Sequence, residues 1–137
     1  MEATWPSTRA VPRRRPATPD HELTCRARDM LDRIGDKWSL AVIHELAWGP
    51  KRFSELRRDV GGISQRMLTV TLRGLERDGI LRRTVYPAVP PRVDYQLTEL
   101  GESMLDTVCQ LMAWTVTHLD EIQRARERYD ARYAAGR

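Results

Sequence analysis

The chain has 137 residues, of which 41% are hydrophobic and 31% are charged, and its formal net charge is +4. A chain of this size and composition is expected to form a globular domain with a single core, and no stretch has the apolar character of a membrane span or a secretory signal. We therefore expect a cytoplasmic protein whose two cysteines are thiols rather than a structural disulfide.

Positive charge is concentrated in the middle of the chain. Residues 51–92 contain ten lysines and arginines against four acidic residues, a net charge of +6. Residues 93–137 contain five arginines against eight acidic residues, a net charge of −3. A strongly basic segment in a chain of modest total charge is the pattern expected of a protein that binds nucleic acid.

The sequence offers little support for enzyme or metal chemistry. It contains no glycine-rich phosphate loop, no nucleophile elbow and no pair of carboxylates with a histidine in reach. His21 and Cys25 have the spacing of two metal ligands on one helical face, but two ligands do not make a site. His44 and His118 have no companions at ligand spacing. We expect neither an enzyme nor a metal or cofactor site.

The first 22 residues form a segment rich in proline and arginine. Four of the eight prolines lie here, around the run Arg13-Arg14-Arg15. Such a segment cannot build a helix or bury much surface, so we expect a disordered basic tail over residues 1–22. The alternative is a basic arm that lies on the DNA backbone or in a minor groove.

Three helices are expected between the N-terminal tail and Gly61-Gly62. The first covers residues 24–34, with Cys25 in or just before its first turn. Gly35-Asp36 separates it from the second helix, which ends at Gly49-Pro50, a glycine followed by a residue that cannot continue a helix. The third is short and ends at Gly61-Gly62.

The most informative stretch is the fourth predicted helix, from Gln65 to Asp78. Ser64 can cap its N-terminus and Gly79 can provide the left-handed stop at its other end. Leu68, Leu72 and Leu75 lie within about 60° of one another on a helical wheel, so they form a narrow seam that faces the core. A short helix, a turn that contains glycine and this helix make a helix-turn-helix.

The face opposite the leucine seam is basic. Arg66, Arg73 and Arg77 lie there with Val70 among them and Thr69 on the shoulder. Arginine has the donor geometry for base edges and phosphates, and threonine and valine can contact a thymine methyl group, so the face suits the major groove of DNA. The alternative is an ordinary amphipathic helix with a solvated arginine face.

After Gly79 the hydrophobic period changes from that of a helix to that of a strand. Apolar and polar residues alternate along two short segments on either side of a proline-rich turn at residues 87–91. This pattern predicts an antiparallel hairpin of two strands. Arg82, Arg83 and Arg92 are available near the loop for phosphate or the neighbouring minor groove, as in a wing. The fold class is therefore mainly α with a small β-hairpin, a winged helix-turn-helix over residues 23–98.

Thr98 caps a long final helix that we expect to run from Glu99 to Ala134. Its apolar residues keep a 3-4 spacing over four heptads, and its length of about 54 Å is more than a domain of this size can cover. A second copy of the helix is the simplest partner, so residues 99–137 are assigned to dimerisation. The interface positions predicted on this helix are Leu105, Val108, Met112, Leu119 and Ile122.

A set of short motifs in order along the chain makes the assignment more specific. They are Cys25 followed by Ile34-Gly35-Asp36-Lys37-Trp38, Arg52-Phe53-Ser54-Glu55-Leu56, Ile63-Ser64-Gln65-Arg66-Met67-Leu68-Thr69, Leu72-Arg73, Leu75-Glu76, Val85-Tyr86-Pro87, Val89-Pro90-Pro91-Arg92-Val93-Asp94-Tyr95 and Leu97-Thr98. With these motifs the stretch from Cys25 to Gly101 resembles the HxlR-type winged helix-turn-helix family of bacterial transcription regulators.

The resemblance implies a homodimer formed through the first and last helices, which adds Met30 to the predicted interface. It also implies a pseudo-palindromic double-stranded DNA operator, with the Ser64 helix in the major groove and residues 87–92 as the wing. The residues expected to contact base edges are Gln65, Arg66, Thr69 and Arg73. Those expected to hold the DNA backbone are Ser64, Arg77, Arg83 and Arg92.

The family also includes redox and electrophile sensors that use a cysteine at the position of Cys25. A thiol at a helix N-terminus beside Arg26 and Arg28 favours the reactive thiolate, and an oxidant effector is one hypothesis. A proline commonly follows this cysteine in the family, whereas Arg26 stands here. An inert Cys25 in a regulator that responds to a small-molecule ligand is the second hypothesis, and a helical interaction module that does not bind DNA is the third. Cys109 is expected in the core, with a resolving role as the alternative.

Overall fold

The computed structural model describes residues 21–134 and Gly136. Residues 1–20 of the predicted tail lie outside the described part. The elements in chain order are α1 (His21–Ile34), α2 (Lys37–Glu45), a 3₁₀ turn (Leu46–Trp48), β1 (Lys51–Arg52), α3 (Phe53–Val60), α4 (Gln65–Arg77), β2 (Leu81–Tyr86), β3 (Arg92–Leu97) and α5 (Glu99–Ala134). The order confirms the predicted winged helix-turn-helix with a long terminal helix.

Helix α1 belongs to a unit of its own, so it is described by itself. It begins at His21 and ends at Ile34, with Met30 half-buried and Leu31 exposed. Cys25 is the fifth residue of the helix, one turn further in than the sequence predicted. The expectation of a thiol among the unpaired N–H groups of the first turn is therefore wrong, because the fifth residue can donate its own N–H to a carbonyl of that turn.

The helix boundaries follow the capping residues. Asp36 accepts a hydrogen bond from the Ser39 N–H at 3.4 Å where α2 begins, and Ser64 Oγ accepts from the Met67 N–H at 3.0 Å where α4 begins. Helix α4 ends at Arg77, and Gly79 has a φ of 75°, the left-handed conformation that glycine adopts without strain. The predicted start and stop of α4 are confirmed to within one residue.

The sheet has three strands rather than the predicted two. Its order is β1-β3-β2, all antiparallel, and Arg52 of β1 lies opposite Asp94 of β3. In the hairpin, Leu81 lies opposite Leu97 and Tyr86 opposite Arg92. Strand β1 has only two residues, so it shows no alternation that a sequence pattern could reveal, and its pairing depends on where β3 lies.

The core is built under α4. The predicted seam of Leu68, Leu72 and Leu75 is buried, and Thr71 joins it. The other buried apolar side chains come from the surrounding elements and are Val42, Ile43, Leu46, Leu56, Ile63, Ile80, Leu81, Leu97 and Val108. Burying one face of α4 against these residues holds its opposite face toward solvent.

Hydrogen bonds of Thr98 connect the first turn of α5 to the residues just before β2. Thr98 Oγ1 accepts from the Gly101 N–H at 3.1 Å, and its hydroxyl donates to the Gly79 carbonyl oxygen. Val108, two turns further along, is only 2% exposed in the single chain. Its predicted place at a dimer interface is therefore wrong, because it is already covered by its own chain.

Beyond Val108, α5 is largely exposed, including five large apolar side chains between residues 111 and 119. Among the described residues, no helix combines the length and apolar character needed to cross a membrane.

Candidate nucleic-acid interface

The outer face of α4 is the basic surface predicted from the sequence. Arg66, Arg73 and Arg77 are exposed, and Val70 between them is 57% exposed. Within the part of the chain that the structure describes, these three guanidinium groups make no ion pair or hydrogen bond to other side chains. Their five N–H donors each remain available to an external acceptor.

Two further predicted residues lie on the side of α4 that faces the wing. Gln65 and Thr69 line a cleft of about 400 Å³ together with Arg73 of the same helix and Arg83 of β2. The Thr69 hydroxyl donates to the Gln65 carbonyl at 2.8 Å. The threonine therefore offers its methyl group and an acceptor lone pair, rather than a donor, to anything in the cleft.

Ser64 has a structural role at the start of α4. Its Oγ accepts the Met67 N–H, which leaves the hydroxyl proton free to donate outward, and the residue is exposed. The hydroxyl can therefore cap the helix and donate to a phosphate oxygen at the same time.

Arg92, a predicted contact to the DNA backbone, forms an ion pair within its own strand. Its Nε and one terminal nitrogen donate to the two carboxylate oxygens of Asp94 at 3.0 and 3.1 Å, and its guanidinium carbon lies 5.7 Å from the centre of the Tyr86 ring. Hydrogen bonding to Asp94 raises the pKa of Arg92 above its ordinary value. This ion pair uses two of the five N–H donors of a half-exposed guanidinium, so the predicted contact with the DNA backbone stays a prediction that the other three donors would have to make.

Several residues on the same side were not singled out from the sequence. Ser54 and Arg57 of α3 line a second cleft, of about 490 Å³, which also includes Gln65 at the start of α4. Arg57 is exposed, whereas Arg58 donates to Asp59 at 3.0 Å. The usable signal was the position of Ser54 in the first turn of the helix that precedes α4, where exposed N–H groups attract phosphate.

The model of the HxlR-like helix-turn-helix family matches residues 33–123. This chain belongs to that family. The match covers the helix-turn-helix, the wing and most of α5, and leaves out most of α1 and the last turns of α5. Together with the relatives described next, it makes the chain a DNA-binding helix-turn-helix transcriptional regulator and not an enzyme.

Similarity to known regulators supports the assignment over most of the chain. The HTH-type transcriptional regulator YtfH of Escherichia coli K12 is 41% identical over 103 residues, which are 75% of this chain and 82% of that protein. The structure of a ytfH regulator from Salmonella typhimurium is similar with a TM-score of 0.70 and 42% identity, covering 74% of this chain and 90% of that one. The oxidized form of the redox regulator HypR is similar with a TM-score of 0.64 and 45% identity, covering 68% and 96% of the two chains.

The two cysteines of this HxlR-like chain are both exposed. Cys109 was predicted to lie in the core, and within the single chain that prediction is wrong, because its side chain is exposed. Among the described residues, no three histidine, cysteine or acidic side chains lie close enough together to hold a metal ion.

Proposed function

We propose that this protein is a homodimeric repressor that binds a pseudo-palindromic operator with one α4 in each of two successive major grooves. Gln65, Arg66, Thr69 and Arg73 contact base edges. Ser64, Arg77 and Arg83 hold the backbone. The observation that supports this assignment most directly is the exposed, unpaired arginine face of α4, held outward by a buried leucine seam on the opposite side.

The charges of this face fit DNA better than a protein partner. The outermost line of α4 has three arginines and no acidic residue. In the adjoining cleft, Arg73 of α4 and Arg83 of β2 outnumber the single carboxylate of Glu76. Each arginine that forms a bidentate pair with guanine contributes about 1–3 kcal/mol of discrimination against the wrong base. Two copies of such a face on one dimer are required for a specific operator, because a single helix contacts too few base pairs.

The dimer is supported by the exposed side chains of α5. Leu111, Leu119, Tyr129 and Tyr133 lie along one stripe of the helix and are each at least half exposed. Exposed large apolar side chains that recur along this length of one helix face indicate a surface that is covered in the assembled protein. The predicted interface residues Met112, Leu119 and Ile122 lie on or beside this stripe, with Leu105 at its buried end, whereas Met30 belongs to α1.

The operator is tested by selecting duplexes from a randomised library with the purified full-length protein. We expect a two-fold symmetric site. Replacing Arg66 by Ala should weaken binding to that site by about 1–3 kcal/mol and relax the base preference at one position in each half-site. The matched control is Arg124→Ala, which removes an exposed arginine on α5, a helix to which the proposal assigns no DNA contact, and should leave binding unchanged.

Two results contradict the proposal. One is the absence of any selected sequence. The other is a selected site to which Arg66→Ala binds as tightly and as specifically as the wild type, which shows that another surface contacts the bases.

A second proposal concerns regulation. We infer that Cys25 responds to peroxide, and the likeness to the redox regulator HypR and the exposure of the thiol support this. The Cys25 thiolate attacks one oxygen of hydrogen peroxide and the O–O bond breaks, which produces a sulfenic acid and a hydroxide ion that takes a proton from solvent to become water. A second thiol then displaces water from the sulfenic acid, and the resulting disulfide links the two subunits or joins Cys25 to Cys109. Arg26 and Arg28 are the nearest cations along α1, and both are exposed.

This regulation is tested by treating the operator complex with hydrogen peroxide. Wild type is expected to release the operator and to migrate as a cross-linked species on a non-reducing gel, and a reductant should reverse both changes. Cys25→Ser should remain bound, whereas Cys109→Ser shows whether the second cysteine is the resolving thiol. Equal responses of the wild type and Cys25→Ser would remove Cys25 from the mechanism and leave the ligand-responsive alternative.

A further inference from the structure

The cleft between α4 and the hairpin combines apolar side chains with charged ones. Its volume is about 400 Å³, which lies within the range of small-molecule sites in proteins. Leu72 of α4 is buried, and Phe53 and Tyr95 are half-buried, so these three side chains make up the inner, apolar part of the cleft. A cleft of this size and lining can receive one aromatic ring with its substituents.

The polar groups of this cleft do not bind one another. Arg73 and Glu76 of α4 and Arg83 of β2 line it, as does the hydroxyl of Tyr95. Within the part of the chain that the structure describes, none of these four side chains makes a hydrogen bond or an ion pair to another residue. Their donors and acceptors are therefore available to a ligand, and a few convergent polar groups around an apolar lining are typical of ligand sites.

The chemistry of these groups favours an organic monoanion. Arg83 and Tyr95 lie directly opposite each other in the hairpin register, so their side chains share one face of the sheet, and Arg73 lines the same cleft. Guanidinium groups and a phenolic hydroxyl are donors that suit a carboxylate. Glu76, one helical turn beyond Arg73, is the single carboxylate, so two arginines against one glutamate give the cleft a net charge of +1.

The shape of the cleft favours a small molecule over a DNA duplex as the occupant of its inner part. In a major groove the base pairs stay stacked, and an inserted helix meets their edges with side chains that point outward. The arginine face of α4 fits that role, whereas Leu72 inside the cleft is only 2% exposed. Stacked base pairs cannot enter a cleft between a helix and a hairpin, so its inner part is left for a smaller molecule.

We infer that this cleft binds an aromatic monocarboxylate, and that the bound ligand displaces the operator. Arg73, Arg83 and the Tyr95 hydroxyl bind the carboxylate, and the ring packs on the apolar side chains. Glu76 accepts a hydrogen bond from a hydroxyl group at the other end of the ring. The inference rests on the proposed function, since the ligand occupies two guanidinium groups that the operator complex needs.

The first experiment uses the full-length protein without DNA. Calorimetric titration compares benzoate and 4-hydroxybenzoate with benzamide and 4-hydroxybenzamide, which have the same rings but no charge. Both carboxylates should bind at submillimolar concentration, and the amides about tenfold more weakly, because only a carboxylate forms charge-assisted hydrogen bonds with arginine. Failure of both carboxylates to bind overturns the inference, as does equal binding of the amides.

Tyr95→Phe tests the assigned position of the carboxylate. This change removes the hydroxyl and keeps the ring, so it should weaken 4-hydroxybenzoate binding about tenfold, the cost of one hydrogen bond to a charged group. The urea midpoint and the operator affinity should stay those of the wild type, because the hydroxyl has no partner among the described residues and no assigned DNA contact. The matched control is Tyr129→Phe, which removes an exposed hydroxyl on α5. Equal ligand binding by Tyr95→Phe and the control overturns the assigned site.

The role of Glu76 is tested by a change in the ligand. Terephthalate has a second carboxylate where 4-hydroxybenzoate has its hydroxyl, and that carboxylate would face the like charge of Glu76. Wild type should therefore bind terephthalate about fivefold more weakly than 4-hydroxybenzoate. Glu76→Gln should remove this preference. A preference of the same size in Glu76→Gln overturns the assigned orientation of the ring.

The last experiment measures the affinity for a selected, fluorescently labelled operator by anisotropy. At about ten times its dissociation constant, 4-hydroxybenzoate should weaken operator binding about tenfold per subunit, and 4-hydroxybenzamide at the same concentration should have little effect. Cys25→Ser should respond as the wild type does, which separates this response from oxidation. Ligand binding without any loss of operator affinity overturns the displacement. Failure to select any duplex instead overturns the proposed function, while the titrations without DNA still test the site.

Discussion

Gly101, in the first turn of α5, lies against the backbone of Ile80, the residue just before β2. A Cβ atom at this position would lie against the carbonyl oxygen of Ile80, and that oxygen already accepts the Thr98 N–H at 3.0 Å. The Thr98 side chain caps the same turn. Glycine is needed here because backbone, rather than a flexible side chain, occupies the space that a methyl group would take.

We therefore expect Gly101→Ala to destabilise the protein, although alanine is the better helix former. The loss should be about 1–3 kcal/mol, the usual cost of forcing an extra carbon into a packed site. Urea unfolding followed by circular dichroism measures it. Thr107→Ala, at an exposed position of the same helix, is the control and should not destabilise. If Gly101→Ala is as stable as the wild type, α5 moves away from Ile80 at little cost and the close approach does not require glycine.

Among the elements, β1 connects the end of α2 to the end of α3 through the ion pairs of its lysine, Lys51. Lys51 Nζ donates to Asp59 Oδ2 at 2.7 Å and to Glu45 Oε2 at 3.1 Å, and Arg58 donates to the other oxygen of Asp59. The hydrogen bond from Lys51, followed by that from Arg58, holds the pKa of Asp59 below its ordinary value of 3.8. The same hydrogen bond raises the pKa of Lys51.

The direction of the Asp59 shift predicts how stability depends on pH. A carboxyl group whose pKa is lowered by folding contributes its full stabilisation above 3.8, and loses it as the pH falls further through the folded value. Wild type should therefore lose more stability than Asp59→Asn on acidification from about pH 5 to about pH 2, as measured by urea midpoints. The difference should shrink strongly in a Lys51→Met background. Parallel pH curves for the wild type and Asp59→Asn would show that the ion pairs are too screened to matter.

At the scale of the whole molecule, α5 is the element that a single chain leaves exposed. Its 36 residues extend about 54 Å, while its buried residues are Gly101 and Val108 near its start. Trp114 stacks on His118, and the rings of Tyr129 and Tyr133 lie 4.4 Å apart, so its aromatic side chains are ordered along the helix surface. Such a surface is expected to be covered by another copy of the helix.

The proposed dimer predicts the effect of a charge in this stripe. The wild type should sediment with about twice the chain mass of 15.9 kDa, and Leu119→Glu should shift it toward the monomer because a carboxylate would be buried at the interface. Gln110→Glu introduces the same charge on the opposite face of α5 and should leave the dimer intact. A monomeric wild type at micromolar concentration, or a dimeric Leu119→Glu, contradicts the assigned interface.

Much of the fold follows from local patterns, and the structure confirms them. Asp36, Ser64 and Gly79 determine where α2 and α4 begin or end, because capping depends on groups three or four residues apart. The leucine seam of α4 and the alternation of the wing likewise depend on neighbours in sequence. The outward arginine face of α4 follows from the same seam, so the central part of the interface was predictable.

Other features depend on contacts between distant segments, which no local pattern contains. Strand β1 exists because its two residues meet β3, and Val108 is buried because the start of α5 packs on the domain. The sequence assigned Arg92 to the DNA backbone because it is a cation near the wing, and Cys109 to the core because a thiol is usually buried. In the folded chain Arg92 pairs with Asp94, and Cys109 is exposed.

The sequence by itself therefore determined the order of the elements, the face of α4 that meets solvent and the positive charge it carries. The tertiary structure alone decided which of the predicted arginines form an ion pair within the chain and which positions of α5 are covered by their own chain. The physical reason is that helix and strand periodicity is a property of near neighbours, whereas the partner of a charged or apolar side chain is determined only when remote parts of the chain are brought together.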